Sequence, residues 1–289
     1  MAANALNGFA LSNGDWVNSP LSDPLSILVV NLMPNKTTTE LQYLRLLDST
    51  KRDVEVTFCY PRTHHFKGTK RSAIQDHYLS FPEVARYNFD GLIISGAPVE
   101  TLPFNQVDYW QEFRLILRWA ESHVEDTILE CWAALAGLQA DYHVEKRQVP
   151  CKLFGIYTAD SLDRGSSLAR GFADHPLRIP QSRHSTLQLT QPLPAQLDVV
   201  ANSYELGPLL LRSQAKHRTY ITGHPEYFSR TLADEYFRDL RKGLTIQAPR
   251  HYFTDHSHNQ VNYDWQYSSR QLYDNWLELL TKEKETVLQ

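Results

Sequence analysis

Short apolar runs alternate with amphipathic stretches along this chain, and few folds can absorb that pattern. Ile27-Leu28-Val29-Val30 reads as a strand buried on both faces. The stretch Thr37-Thr38-Thr39-Glu40-Leu41 then offers a capping hydroxyl before apolar positions at helical spacing, Leu41, Leu44 and Leu47. The alternation recurs: Val54 to Phe58 and Gly91 to Ser95 are strands, and a helix runs from about Gln106 to Glu121. Thr127-Ile128-Leu129-Glu130 is a short strand that stops at Cys131 and enters the small-residue run Ala133 to Gly137. From Cys151 to Leu211 shorter strands and turns are expected, until Thr219-Tyr220-Ile221-Thr222 makes one more strand ending at Gly223-His224-Pro225-Glu226. Helices over Ser229 to Lys242 and around Leu272, Trp276 and Leu279 close the chain. The expectation is an α/β fold with a mostly parallel central sheet and helices on both faces. The Asn-, Ser- and Pro-rich opening reads as an arm or loop. One domain is expected over residues 1–289, with an arm at 1–24, a catalytic core at 25–245 and a tail at 246–289 packed on the core.

Composition narrows the function. A formal net charge of -4 leaves no basic excess to neutralise phosphates, which argues against nucleic acid as a ligand. Met1 to Asp23 lacks the basic start and apolar run of a secretory signal, and no apolar stretch reaches membrane-spanning length. Cys59, Cys131 and Cys151 form neither a paired framework nor a CxxC spacing, so a reducing compartment, the cytoplasm, is expected. His64-His65 and the tail residues His251, His256 and His258 have no helical ligand spacing, so no metal site is expected.

In open parallel sheets, reactive groups gather where strands end, because backbone N–H groups and helix N-termini point into the crevice there. Three segments fit: Ser95 to Glu100, Cys131, and His224 to Glu226. A free cysteine after a strand is commonly a small buried hydrophobe. What lifts Cys131 is the strand ending, the small residues after it, and a second strand that ends in His224 with Glu226 two residues on. The imidazole can take the thiol proton, and the carboxylate can fix the tautomer and steady the imidazolium. Candidate oxyanion donors are the Trp132 amide and the Ala97 amide of the Gly96-Ala97 turn; Pro98 has no N–H.

Five segments also carry a resemblance: Asn31-Leu32-Met33-Pro34-Asn35-Lys36, Ser95 to Phe104, Glu130-Cys131-Trp132, Lys152-Leu153-Phe154-Gly155, and Thr222-Gly223-His224-Pro225-Glu226-Tyr227. In order and spacing they resemble the homoserine O-succinyltransferase/O-acetyltransferase family of methionine biosynthesis, over about residues 24 to 276. The resemblance implies a class I glutamine amidotransferase-like fold, a flavodoxin-like three-layer sandwich. It implies that Cys131 carries the acyl group as a thioester, with His224 as general base and Glu226 orienting it. Lys152, Ser182 and Arg238 match substrate-binding positions, and Lys36 matches a lysine implicated in the active site. Glu100 falls where the family sorts acyl donors, glutamate going with acetyl-CoA; a carboxylate there repels a succinyl carboxylate. Acetyl-CoA is thus a substrate, no cofactor is expected, and a homodimer is implied.

The chain departs from the family where Cys131-Trp132 is followed by Ala133-Ala134-Leu135 instead of Gly-Ala-Gln, and over Asn202 to Gly207. It also lacks the usual Glu-His after Gly155. These positions bear on the acceptor. Serine is one methylene shorter than homoserine, a difference of about 1 to 3 kcal/mol in binding, so both acceptors stay open. A glutaminase-like amide hydrolase would use the same three residues, and a catalytically silent binding protein is the other rival.

Overall fold

The computed structural model describes residues 2–66, 69–189 and 192–287. Its first half contains β1 (Ala3–Ala5), α1 (Phe9–Asn13), β2 (Leu25–Val30), α2 (Lys36–Asp48), β3 (Val54–Tyr60), α3 (Arg71–His77), β4 (Leu79–Ser80) and α4 (Phe81–Val84). There follow β5 (Phe89–Ile94), α5 (Trp110–His123), β6 (Val124–Glu130) and α6 (Trp132–Tyr142). The second half contains β7 (Lys146–Thr158), β8 (Ser161–Leu162), β9 (Arg178–Leu187), β10 (Asp198–Ser203), β11 (Gly207–Ser213), β12 (Arg218–Ile221), α7 (Thr231–Arg241) and α8 (Gln266–Val287).

The main sheet runs β1-β3-β2-β5-β6-β12-β11-β10-β8, with β4 beside β3. It is parallel from β1 through β12 and antiparallel from β12 through β8. The centre is parallel because its strands are apolar on both faces and each is followed by a covering helix. Leu44 and Leu47 of α2 and Leu272 and Trp276 of α8 pack on one face. Phe113 and Ile116 of α5 and Trp132 and Leu135 of α6 pack on the other. The expected three layers are therefore present. Trp276 fixes α8: its Nε1–H donates to Asp126 Oδ1 at 2.9 Å, and its ring occupies the space where a Cβ on Gly91 would sit, 2.6 Å away.

Four local expectations change. The opening segment is no loose arm, because β1 extends the sheet edge, pairing Ala3 to Ala5 with Val54 to Val56. The α2 cap is Asn35, whose side chain accepts from the Thr38 amide, so the threonines begin the helix instead of capping it. The helix expected from about Gln106 starts at Trp110, after a single 3-10 turn. Finally, β7 and β9 are long and form their own antiparallel pair, where polar residues such as Gln181, Ser182 and Arg183 interrupt any apolar run in the sequence. Phe154 and Ile156 of β7, Tyr227, Leu232 and Tyr236 around α7, and Trp265 form a third apolar cluster that joins this pair to the main body. Among the described residues no helix is long and apolar enough to cross a membrane.

Candidate active site

The register of β6 against β12, Glu130 opposite Ile221, brings the two strand ends side by side, so Cys131 and His224 emerge as neighbours. Cys131 caps α6 with φ 49° and ψ -113°, a backbone state that suits glycine and strains any other residue. The chain turns there from strand to helix within one residue, which lifts the side chain out of the sheet at a helix N-terminus, as in a nucleophile elbow. His224 is placed by its own N–H, which donates to the Pro180 carbonyl of β9 at 2.9 Å. Gly223 allows that approach, since a Cβ there would lie 2.4 Å from the Pro180 oxygen.

The His224 Nδ1–H donates to Glu226 Oε1 at 2.8 Å, leaving the other nitrogen to serve Cys131, which lies beside the ring. All three side chains are buried. The Tyr227 ring stacks on the imidazole, centroids 4.2 Å apart, and fixes its plane. Burial disfavours the charged ring, yet Cys131 and the neighbouring carboxyl groups outweigh it, and the His224 pKa is raised. Burial pushes Glu226 up to about 8. Gly96 closes the other side: a Cβ there would meet His224 Cε1 at 2.8 Å and Cys131 Cβ at 3.2 Å. The Gly96-Ala97 turn thus lies against the nucleophile, and Trp132 supplies the first amide of α6, one of those a helix leaves unpaired.

Lys152 and Ser182 meet on Glu235, a residue the sequence reading passed over. Lys152 Nζ donates to its Oε2 at 3.0 Å, Ser182 Oγ to the same oxygen at 2.5 Å, and Tyr227 Oη to Oε1 at 3.0 Å. Burial alone would raise the Glu235 pKa, but Lys152 and Ser182 hold it below the ordinary carboxylate range. Arg238 is half exposed and its guanidinium forks onto its neighbour Asp239 at 2.7 and 3.0 Å. Arg183, also passed over, is almost fully buried near Cys131. Its Nε donates to Gln181 Oε1 at 2.8 Å and its Nη1 to the Ser185 carbonyl at 2.6 Å, while the buried Nη2 has no partner. Burial lowers its pKa to about 10, opposed by the charges of Cys131 and Tyr157. A charged group inside a strand otherwise read as turns is the signal that could have found it.

Lys36 begins α2 and is buried. Its Nζ donates to the Asn31 carbonyl at 2.6 Å and sits over the Phe66 and Tyr78 rings, beside Cys59 and across β5 from Cys131. Burial lowers its pKa to about 7, against the pull of Glu40 and Cys59. Glu100 stands in the turn beyond Ala97, where Lys146 of β7 donates to its carbonyl and, at 2.7 Å, to that of Leu102. A cavity of about 840 Å³ opens beside Glu226 and Tyr227, with Arg45, Arg230, Arg238 and Arg241 on its wall. Among the described residues no cluster of His, Cys, Asp and Glu is arranged to hold a metal ion.

The family model described as homoserine O-succinyltransferase matches residues 17–286. A homoserine O-acetyltransferase of Bacillus subtilis is 41% identical over 257 residues, 88% of this chain and 84% of that protein. One of Streptococcus pneumoniae is 42% identical, covering 88% and 82%. Among solved structures, a glutamine amidotransferase of Thermotoga maritima superposes with a TM-score of 0.56 at 12% identity, covering 90% of this chain and all of that one. One of Methylobacillus flagellatus gives 0.56 at 12% identity, covering 89% and 94%. At such identities these structures attest the fold, which is class I glutamine amidotransferase-like.

Proposed function

Because the chain belongs to the homoserine O-succinyltransferase family, we propose that it is an acyltransferase of methionine biosynthesis that moves acetyl from acetyl-CoA, through a thioester on Cys131, to the side-chain hydroxyl of homoserine. The observation that carries this reading is the contact of Cys131, on its strained strand-to-helix turn, with a buried His224 already oriented by Glu226. His224 takes the thiol proton, the thiolate attacks the acetyl carbonyl, and the proton passes to CoA as the C–S bond to CoA breaks. The acceptor hydroxyl then gives its proton to the same imidazole and attacks the thioester, and the proton returns to Cys131 as the ester leaves. The Trp132 and Ala97 amides would stabilise the oxyanion of each half, a contribution of about a hundredfold or more in rate.

Arg183 offers the unpartnered donor that an amino-acid carboxylate requires, next to the nucleophile, while Arg238 offers a second cation nearer the solvent. Glu235, tied to Lys152 and Ser182, is the anion available to the acceptor's ammonium. The four arginines of the cavity suit the phosphates of an acyl-CoA. Glu100 favours acetyl over succinyl by charge repulsion. The three free cysteines suit a reducing cytoplasm, and we take the chain to act as one catalytic domain.

The test is transfer by the purified protein from acetyl-CoA or succinyl-CoA to homoserine or serine, with Cys131→Ala as control. Homoserine-dependent release of CoA from acetyl-CoA, abolished in the variant, is expected. A preference for serine would reassign the acceptor, and release that ignores both acceptors, or persists without Cys131, would overturn the transferase reading.

A further inference from the structure

Strand β6 lies inside a parallel sheet with both faces covered, where side chains are expected to be apolar, yet it ends in Glu130, none of whose surface is exposed. Alternation sends Ile128 and Glu130 to the same face, under α2 and α8. There Tyr43 of α2 and Tyr273 of α8 each donate a hydroxyl to one oxygen of the Glu130 carboxyl, the latter at 2.7 Å. Among the described residues no lysine or arginine is paired with it. The acid of the catalytic trio lies beside it, close enough for each carboxyl to act on the other's titration. Glu226 Oε1 accepts from His224 Nδ1, whereas its Oε2 is buried with no partner. Two ionised carboxylates can only accept, so Glu130 satisfies that oxygen only if it carries a proton.

We propose that Glu130 is a positioning residue that stays protonated, donates a hydrogen bond from its carboxyl to Glu226, and so leaves the trio a single negative charge, held on Glu226. The ionisable groups facing the pair are Tyr43 from α2, Tyr273 from α8, His224, Cys131 beside it, and Glu235 from α7. Burial pushes both acids up, in keeping with a retained proton. The hydrogen bond satisfies the bare oxygen of Glu226 and leaves its charge toward His224. When the imidazole takes the Cys131 proton, the shared proton stays on Glu130 and the charge stays on Glu226, facing the new imidazolium. No proton enters or leaves the pair.

The inference rests on Cys131, His224 and Glu226 acting together, and not on which acyl donor or acceptor is used. Two readouts test it on the full chain, comparing wild type with Glu130→Gln, which keeps a donor of the same shape, and Glu130→Leu, which keeps none. The first is infrared difference spectroscopy between wild type and Glu130→Gln, where the carbonyl stretch of a protonated carboxylic acid is expected in wild type only. Its absence from wild type would overturn the proposal, whatever the protein's activity. The second is the rate of Cys131 alkylation by iodoacetamide, read on the Cys131 peptide from about pH 6 to about pH 9.5. Glu130→Gln is expected within about threefold of wild type near neutral pH, without the alkaline inflection that loss of the shared proton gives wild type. Glu130→Leu is expected about ten- to a hundredfold slower, the effect of leaving a buried charged acceptor without its donor. Equal slowing of both variants with the wild-type pH profile kept, or a Glu130→Leu variant as fast as wild type, would reduce Glu130 to a packing residue. If wild-type Cys131 reacts no faster than Cys151, the catalytic reading itself fails, while the infrared band still decides the shared proton.

Discussion

Two buried carboxyl groups flank the same imidazole and titrate in opposite directions. Glu226, behind His224, sees Glu130 and two tyrosines, and burial raises its pKa to about 8. Glu235, reached through Tyr227, is largely buried too, yet an ammonium and two hydroxyls donate to it and hold its pKa low. The difference teaches that depth alone does not decide charge; the donors placed around a carboxyl do. One side of the ring is built to keep a proton, and the other to keep a fixed anion toward the acceptor.

The strongest way to break this contrast is Glu226→Gln, which removes the charge that stabilises the imidazolium and is expected to lower kcat about a thousandfold in the acetyl-transfer assay. Next is Gly96→Ala. Its Cβ must displace the imidazole or Cys131, and a misplacement of that size costs about a hundredfold in kcat with the fold retained by circular dichroism. Glu235→Gln tests the other side: it should raise KM for the amino acid about tenfold and change kcat little, the mark of a binding anion as opposed to a catalytic one.

The smallest effects sharpen the contrast through stability, because the two sides carry opposite signs. In Lys152→Met, Glu235 loses its cation. Wild-type Glu235, with its pKa held down, contributes stability above the unfolded value of about 4.3, and that contribution fades as pH falls through the folded value. The variant should therefore be about 2 to 3 kcal/mol less stable at neutral pH, and the gap should narrow on acidification in denaturant melts. The Glu130–Glu226 pair is the reverse. Burial raises both acids, and the proton held on Glu130 makes the native state bind more protons than the unfolded chain above about pH 4.3, so wild-type stability falls as pH rises toward neutrality. The stability of Glu130→Gln relative to wild type should accordingly improve as pH rises from about 5 to about 8. Parallel slopes in the two variants would mean that the contrast is absent.

The alternating strands and helices were legible because apolar runs such as Ile27 to Val30 and Ile128 to Leu129 must be covered on both sides, and that requirement is written locally. The gathering of Cys131, His224 and Glu226 was legible for a related reason, since each stands just past a strand end. What escaped depends on partners far along the chain. Ala3 to Ala5 become a strand only because β3 offers an open edge. Glu235 and Arg183 are single charged residues whose meaning comes from Lys152, Ser182 and Cys131 beside them. Glu130 left a trace, a charged end to an apolar strand, but its role required Tyr43 and Tyr273 from 87 residues before it and 143 after.

The backbone of Cys131 has a consequence for any attempt to evolve this protein. Its φ of 49° with ψ of -113° costs about 1 to 3 kcal/mol in every residue except glycine, and that strain is present whether the side chain is a thiol, a hydroxyl or a methyl. A library screened only for heat resistance should therefore fill position 131 with glycine, trading the whole of its chemistry for a relaxed turn. Directed evolution of this scaffold has to select on turnover in every round, because robustness and reactivity pull this one residue in opposite directions.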